Sequence, residues 1–242
     1  MPKKIALITG ANKGIGFEVA RQLGKCGCAV FLGARNPELG RDAASKLLKE
    51  NLDVRWICLD VVQMESVREA AASIASEFDR LDILVNNAGI ALPAADGSPS
   101  AASLEAVQMT VQTNFLGALA VTQALLPLLR KAPAGRIVNV SSDLGSITLS
   151  RDPNWKFASV KLIGYSASKA AMNMLTVQLA FELRDTAIKV NSANPGFTAT
   201  DLSGHRGDQT PEQGAAELVR LSLLQADGPT GGFFEAGCSL PW

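Results

Sequence analysis

A chain of 242 residues is long enough for one large core or two small ones, and its 47% hydrophobic but only 5% aromatic content makes that core aliphatic. Lysine plus arginine balances aspartate plus glutamate at 23 each, which removes the electrostatic basis for a nucleic-acid or anionic-membrane partner. The four cysteines, Cys26, Cys28, Cys58 and Cys238, have no zinc-ligand spacing and predict no metal site; they read as buried free thiols, or, for Cys26 and Cys28, as a redox pair.

The N-terminal "MPKKIALITG" has too short an apolar run for a signal peptide, and reduced thiols suit a cytoplasmic protein. "KIALIT" reads as a strand and Gly16 to Lys25 as a helix. "AVFLGA" is a second strand, followed by a helix from Pro37 to about Glu50 that opens on a proline whose missing N–H is harmless there. "VRWICLD" is a third strand, "ESVREAAASIASEF" a helix and "LDILVN" a fourth strand. The run from Ala91 to Ala102 reads as a loop, and a long helix follows from about Ser103 to Lys131, with Pro127 expected to kink or loosen it. Its most apolar part, Phe115 to Leu129, is interrupted by Thr122, Gln123 and Pro127, which argues against a bilayer span. "RIVNVS" is a strand, 143–162 is irregular, and Tyr165 to about Arg184 is a helix. "IKVNSA" is a strand, Pro211 to Leu224 a helix and "GGFFEA" a last short strand. About seven strands alternating with helices predict an α/β fold: one Rossmann-type, doubly wound parallel sheet with helices on both faces, spanning 1–242 as a single domain.

The first strand runs directly into "TGANKGIG", where Gly10, Gly14 and Gly16 allow a tight turn and close approach to a pyrophosphate, which the next helix N-terminus attracts. The only tyrosine, Tyr165, stands four positions before Lys169, so the phenol and ammonium share a helix face. Such a charge is expected to lower the phenol's pKa towards the range useful for proton transfer. Ser142 closes the fifth strand at the carboxyl edge of the sheet, where a hydroxyl can hold a substrate carbonyl oxygen. Strand two ends in Ala34 and Arg35 with no acid, and Lys13 lies in the glycine loop; both cations favour a 2′-phosphate, hence NADPH over NADH.

Together "TGANKGIG", "NNAG" (86–89), Asn114, "NVSS" (139–142), "YSASK" (165–169) and "NPG" (194–196) occur in the order of the short-chain dehydrogenases/reductases. The chain resembles that family over essentially its whole length, and its ending resembles the carbonyl-reductase branch. The resemblance implies a catalytic set of Asn114, Ser142, Tyr165 and Lys169, with Asn114 holding a water that links Lys169 to solvent and Lys169 holding the nicotinamide ribose. It implies a cofactor site drawn from Gly10, Asn12, Lys13, Gly14, Ile15, Gly16, Arg35, Asp60, Val61, Asn87, Ala88, Gly89, Tyr165, Lys169, Pro195, Gly196 and Thr198. Ile90, Leu92, Leu144, Trp155, Phe197 and Leu202 are the candidate substrate pocket, and Phe157 lies beside them in an extended 143–164 segment. His205, the single histidine, reads as a loop residue rather than a catalyst. The expected activity is NADPH-dependent reduction of a ketone or aldehyde, by a monomer or homodimer acting on a small molecule. Oxidation of a secondary alcohol, or a non-catalytic dinucleotide-binding sensor or scaffold, are the alternatives.

Overall fold

A computed structural model describes residues 3–242. Eight strands form one sheet in the order β3-β2-β1-β4-β5-β6-β7-β8. The strands are β1 Ile5–Ile8, β2 Ala29–Ala34, β3 Val54–Cys58, β4 Ile83–Asn86, β5 Arg136–Val140, β6 Lys189–Ala193, β7 Phe233–Glu235 and β8 Cys238–Ser239. All pairings are parallel except the last, where the unexpected β8 folds back antiparallel on β7. The helices are α1 Gly14–Lys25, α2 Pro37–Lys49, α3 Met64–Phe78, α4 Leu104–Val111, α5 Gly117–Leu129, α6 Ile147–Ser150, α7 Ile163–Glu182 and α8 Pro211–Ser222.

Alternation along each strand supplies both helical layers. On β1, Ile5 and Leu7 pack with Ile74 of α3, Leu125 of α5 and Leu179 of α7. Ala6 and Ile8 pack on the opposite face with Leu23 of α1, Leu47 of α2 and Leu218 of α8. Each fully buried leucine or isoleucine of this kind contributes roughly 1.5–3 kcal/mol relative to exposure. Because β2 and β3 lie on one side of β1 and β4 on the other, the chain reverses direction across the β1/β4 boundary, opening a crevice at the carboxyl ends of those strands.

Three local expectations change. The long helix is continuous from α4 through a π-turn at Gln112–Leu116 into α5, and it passes Pro127 without breaking. Gln123 and Pro127 both face solvent, so the carbonyl left without an amide partner reaches water. That helix is long and apolar enough to cross a membrane by composition alone, yet Val121, Leu125, Leu128 and Leu129 are spent on the core. The 143–162 stretch is not wholly irregular: it holds a 3₁₀ turn at Asp143–Gly145 and the short α6, and α7 starts at Ile163. Of the cysteines only Cys28 is buried, and burial pushes its thiol up to about 11; all four are free.

Candidate active site

The glycine turn closes the amino-terminal side of the crevice. Thr9 Oγ1 accepts from the amides of Asn87 and Ala88 at 3.0 and 2.9 Å, and Asn87 Nδ2 donates to the Thr9 and Gly10 carbonyls at 2.8 and 3.1 Å. The "NNAG" segment is thus bonded to the turn. Gly10 has φ +62°, and a Cβ there would stand 2.9 Å from Ala88 Cα, so only glycine lets the two loops meet. Gly14, also at positive φ, begins α1, whose first turn has no side-chain cap and no acidic residue. Those unpaired amides and the positive end of the helix suit an anionic phosphate. Ile15 and Gly16 turn inwards, Ile15 against the core and Gly16 against Asn87, while Asn12 is half-buried in the turn.

Arg35 is exposed at the end of β2 and makes no ion pair among the described residues. Lys13 differs from expectation: its ammonium is ion-paired with Asp201, which also takes His205 Nε2 at 2.8 Å. The loop after β6 thus reaches the glycine turn, and Thr200 lies across from Gly14. Asp60 bonds its own loop, accepting from Val62 N at 3.2 Å. Val61 is buried in the core against the α5 residue Gly117, so its side chain points away from the crevice. Gln209 binds the Pro195 carbonyl at 2.5 Å, and Glu235 lies beside Gly196. Thr198 is buried, its hydroxyl donating to the Pro195 and Gly196 carbonyls and its methyl packed on Gly214; its side chain is not offered to the crevice.

The structure brings Asn114, Ser142, Tyr165 and Lys169 together at the carboxyl end of β5. Lys169 is 4% exposed, donates to the Val140 carbonyl at 2.7 Å and places its ammonium 5.5 Å from the Tyr165 ring centre. Burial pushes the Lys169 ammonium down to about 8. Asn114, in the π-turn, accepts from Ile90 N at 2.8 Å and donates to Ile90 O and Ser168 Oγ at 2.9 and 3.0 Å. Gly89 separates it from Lys169: the position a Cβ would take there is 3.3 Å from Asn114 Oδ1 and 3.7 Å from Lys169 Nζ. Ser141 is a buried structural hydroxyl donating to the Lys169 carbonyl at 3.3 Å. The half-buried Tyr165 corrects the expected direction: desolvation raises its phenol to about 12, a hydrogen bond from the Ser142 pair opposes this, and the Asp143 charge adds to it. With its pKa raised, the phenol keeps its proton at neutral pH.

Asp143 and Asp96 were not read from the sequence. Asp143 is buried directly after Ser142, whose hydroxyl donates to it at 3.2 Å. Asp96, in the loop before α4, accepts from the Gly164 and Tyr165 amides at 2.9 Å each. Only adjacency to Ser142 could have marked the first, and nothing local marks the second. The predicted substrate lining is partly assembled: Trp155 packs edge-on to Phe157 at 5.5 Å, and Phe157 contacts Phe197 at 5.9 Å. Leu92 instead lines a separate cavity of about 430 Å³ against α4, and Leu202 is exposed on the loop beside Asp201. Ile90 and Leu144 are half-buried beside Asn114 and Ser142 respectively.

A profile of the short chain dehydrogenase family matches residues 4–211. "Carbonyl reductase [NADPH] 1" of Mus musculus is 35% identical, with 99% of each chain covered. (-)-Isopiperitenone reductase of Mentha piperita is 33% identical with 96% of each covered. The solved structure of NADPH-bound carbonyl reductase from chicken fatty liver superposes with a TM-score of 0.87 at 28% identity, covering 100% of both chains. With the crevice, the glycine turn and the serine–tyrosine–lysine cluster in one chain, and relatives matched end to end, the protein belongs to the short-chain dehydrogenase family.

Proposed function

We propose that the chain, acting as one domain, reduces a ketone or aldehyde to an alcohol with NADPH. The observation that carries this reading is the Tyr165 phenol and the Ser142 hydroxyl brought to the carboxyl end of β5 beside the buried Lys169. The uncapped, acid-free start of α1, the glycine turn and the unpaired Arg35 fit the phosphates of a dinucleotide. Gly10, Gly14 and the α1 amides would hold the pyrophosphate, Arg35 the 2′-phosphate, and Lys169 the nicotinamide ribose. NADPH, when bound there, would supply the hydride. Ser142 holds the carbonyl oxygen and Tyr165 gives it the proton, with Lys169 stabilising the phenolate left behind. The relatives that are carbonyl reductases using NADPH support both substrate class and cofactor.

The name carbonyl reductase [NADPH] carried by the relatives favours reduction over alcohol oxidation as the working direction. The Trp155–Phe157–Phe197 cluster favours apolar carbonyl compounds over polyols, since it offers hydroxyl groups no partners. The test is absorbance loss at the nicotinamide band with NADPH and a panel of aryl and alkyl ketones, aldehydes and polyols. Turnover of the ketones is expected; binding of NADPH with no turnover of any carbonyl would mean a non-catalytic binder.

A further inference from the structure

Asp143 is a carboxylate in an unfavourable place. It opens the 3₁₀ turn after β5, is 8% exposed, and stands next to the hydroxyl that must serve the substrate. Ser142 has one O–H to give and two lone pairs to fill. The O–H points to Asp143 Oδ1 at 3.2 Å, and the Leu144 amide fills one lone pair at 3.2 Å. In this arrangement the Ser142 hydroxyl is turned away from a carbonyl oxygen.

We propose that Asp143 is a positioning residue whose proton sets the direction of the Ser142 hydroxyl, and that reduction proceeds with Asp143 protonated. A protonated Asp143 donates into Ser142 Oγ. With the Leu144 amide it then fills both lone pairs, which releases the Ser142 O–H towards the substrate oxygen. No bond to carbon is involved; one proton on Asp143 reverses one hydrogen bond.

Burial and one neighbouring charge favour that proton. Burial raises the Asp143 carboxyl above the usual carboxylate range, and the charge of Glu235 on β7 adds to it. The Ser142 bond, Lys156 from the loop before α7 and the Leu144 amide pull the other way. From α7, Tyr165 faces it and feels its charge, and Lys169 lies behind Ser141. Glu235 is itself held by Asn194 Nδ2 at 3.1 Å, so the like charge is fixed in place.

The inference rests on the carbonyl-reductase reading, and the experiment separates the two. The kcat for ketone reduction at saturating NADPH is measured across pH in the wild type, Ser142→Ala, Asp143→Asn and Glu235→Gln. Wild-type kcat is expected to fall by about tenfold per pH unit once Asp143 ionises. Asp143→Asn keeps a donor beside Ser142 and should flatten that limb, exceeding the wild type at its upper end. Glu235→Gln removes the like charge and should move the limb to lower pH. A limb set by Lys169, at about 8, should persist in both variants. If Asp143→Asn retains the wild-type limb, or Glu235→Gln leaves its midpoint in place, the inference is overturned. Ser142→Ala with less than about a tenfold loss would instead overturn the site reading itself.

Discussion

Tyr165 is the chain's single tyrosine, and its ring alone could be replaced by phenylalanine at little packing cost. Tyr165→Phe should therefore remove most of kcat, on the order of 10²–10⁴, while the NADPH dissociation constant stays within about twofold of wild type; retention of a third of wild-type kcat would show another proton source. The cations divide differently than their positions implied. Arg35 is unpaired, so Arg35→Ala should lower the kcat/KM preference for NADPH over NADH by about tenfold, the equivalent of one charge-assisted hydrogen bond. Lys13 shares its charge with Asp201 at an exposed site, so Lys13→Ala should change that preference by no more than about fivefold. Equal losses in the two variants would contradict this division. The Lys13 partner was illegible because Asp201 is 188 positions away, and a lysine in a glycine loop reads the same whether free or paired. Ser142, Tyr165 and Lys169 were legible because their spacing is local: a strand end, and one helical turn.

Helix α7 carries both Tyr165 and Lys169, yet its own N-cap, Leu162, has no capping side chain. Asp96 does that work from 68 and 69 positions away, taking the Gly164 and Tyr165 amides with its two oxygens, while Gly97 takes the Ile163 amide at 3.0 Å. A loop whose buried Asp96 fastens the helix carrying Tyr165 and Lys169 explains why the Ala91 to Ala102 run, read only as a loop, is not interchangeable linker. Asp96→Ala should cost about 1–2 kcal/mol of stability, measured by urea unfolding, and lower kcat with it. Asp96→Asn keeps one acceptor and should recover part of both; an unchanged unfolding midpoint in Asp96→Ala would refute the cap. On the other side of the phenol, Gly145 packs the Ser142 turn directly on α7, for a Cβ there would come within 2.7 Å of the Lys169 backbone. Strands and helices were readable because their periods differ, 2 against 3.6. The π-turn at Asn114 was not, since it is fixed by the Ile90 and Ser168 bonds that hold its side chain.

At the scale of the whole molecule, alternation of strands and helices implied a doubly wound parallel sheet, and the relatives and the eight-stranded order agree with that class. The short β8 escaped notice because two residues carry no periodicity; its place is held by the Trp242 ring stacked on Phe233 at 5.6 Å and by the Leu240 amide on the Phe233 carbonyl. The switch between β1 and β4 matters energetically as well as geometrically. Residues expected to hold the cofactor follow β1, β2, β3, β4 and β6 and lie on α7, so the site exists only when the sheet is assembled. A ligand that binds only the folded state stabilises it by mass action, about 2.7 kcal/mol at a hundredfold excess over Kd. For a domain of this size that corresponds to a rise in Tm of about 5–11 °C. NADPH at that excess should produce such a rise in thermal unfolding, and NADH at the same concentration a clearly smaller one. In Arg35→Ala the two rises should converge, because the difference between the cofactors is a single phosphate and Arg35 is, among the described residues, without an ion-pair partner at that end of the crevice. A shift with NADPH that survives Arg35→Ala undiminished would place the phosphate elsewhere on the molecule.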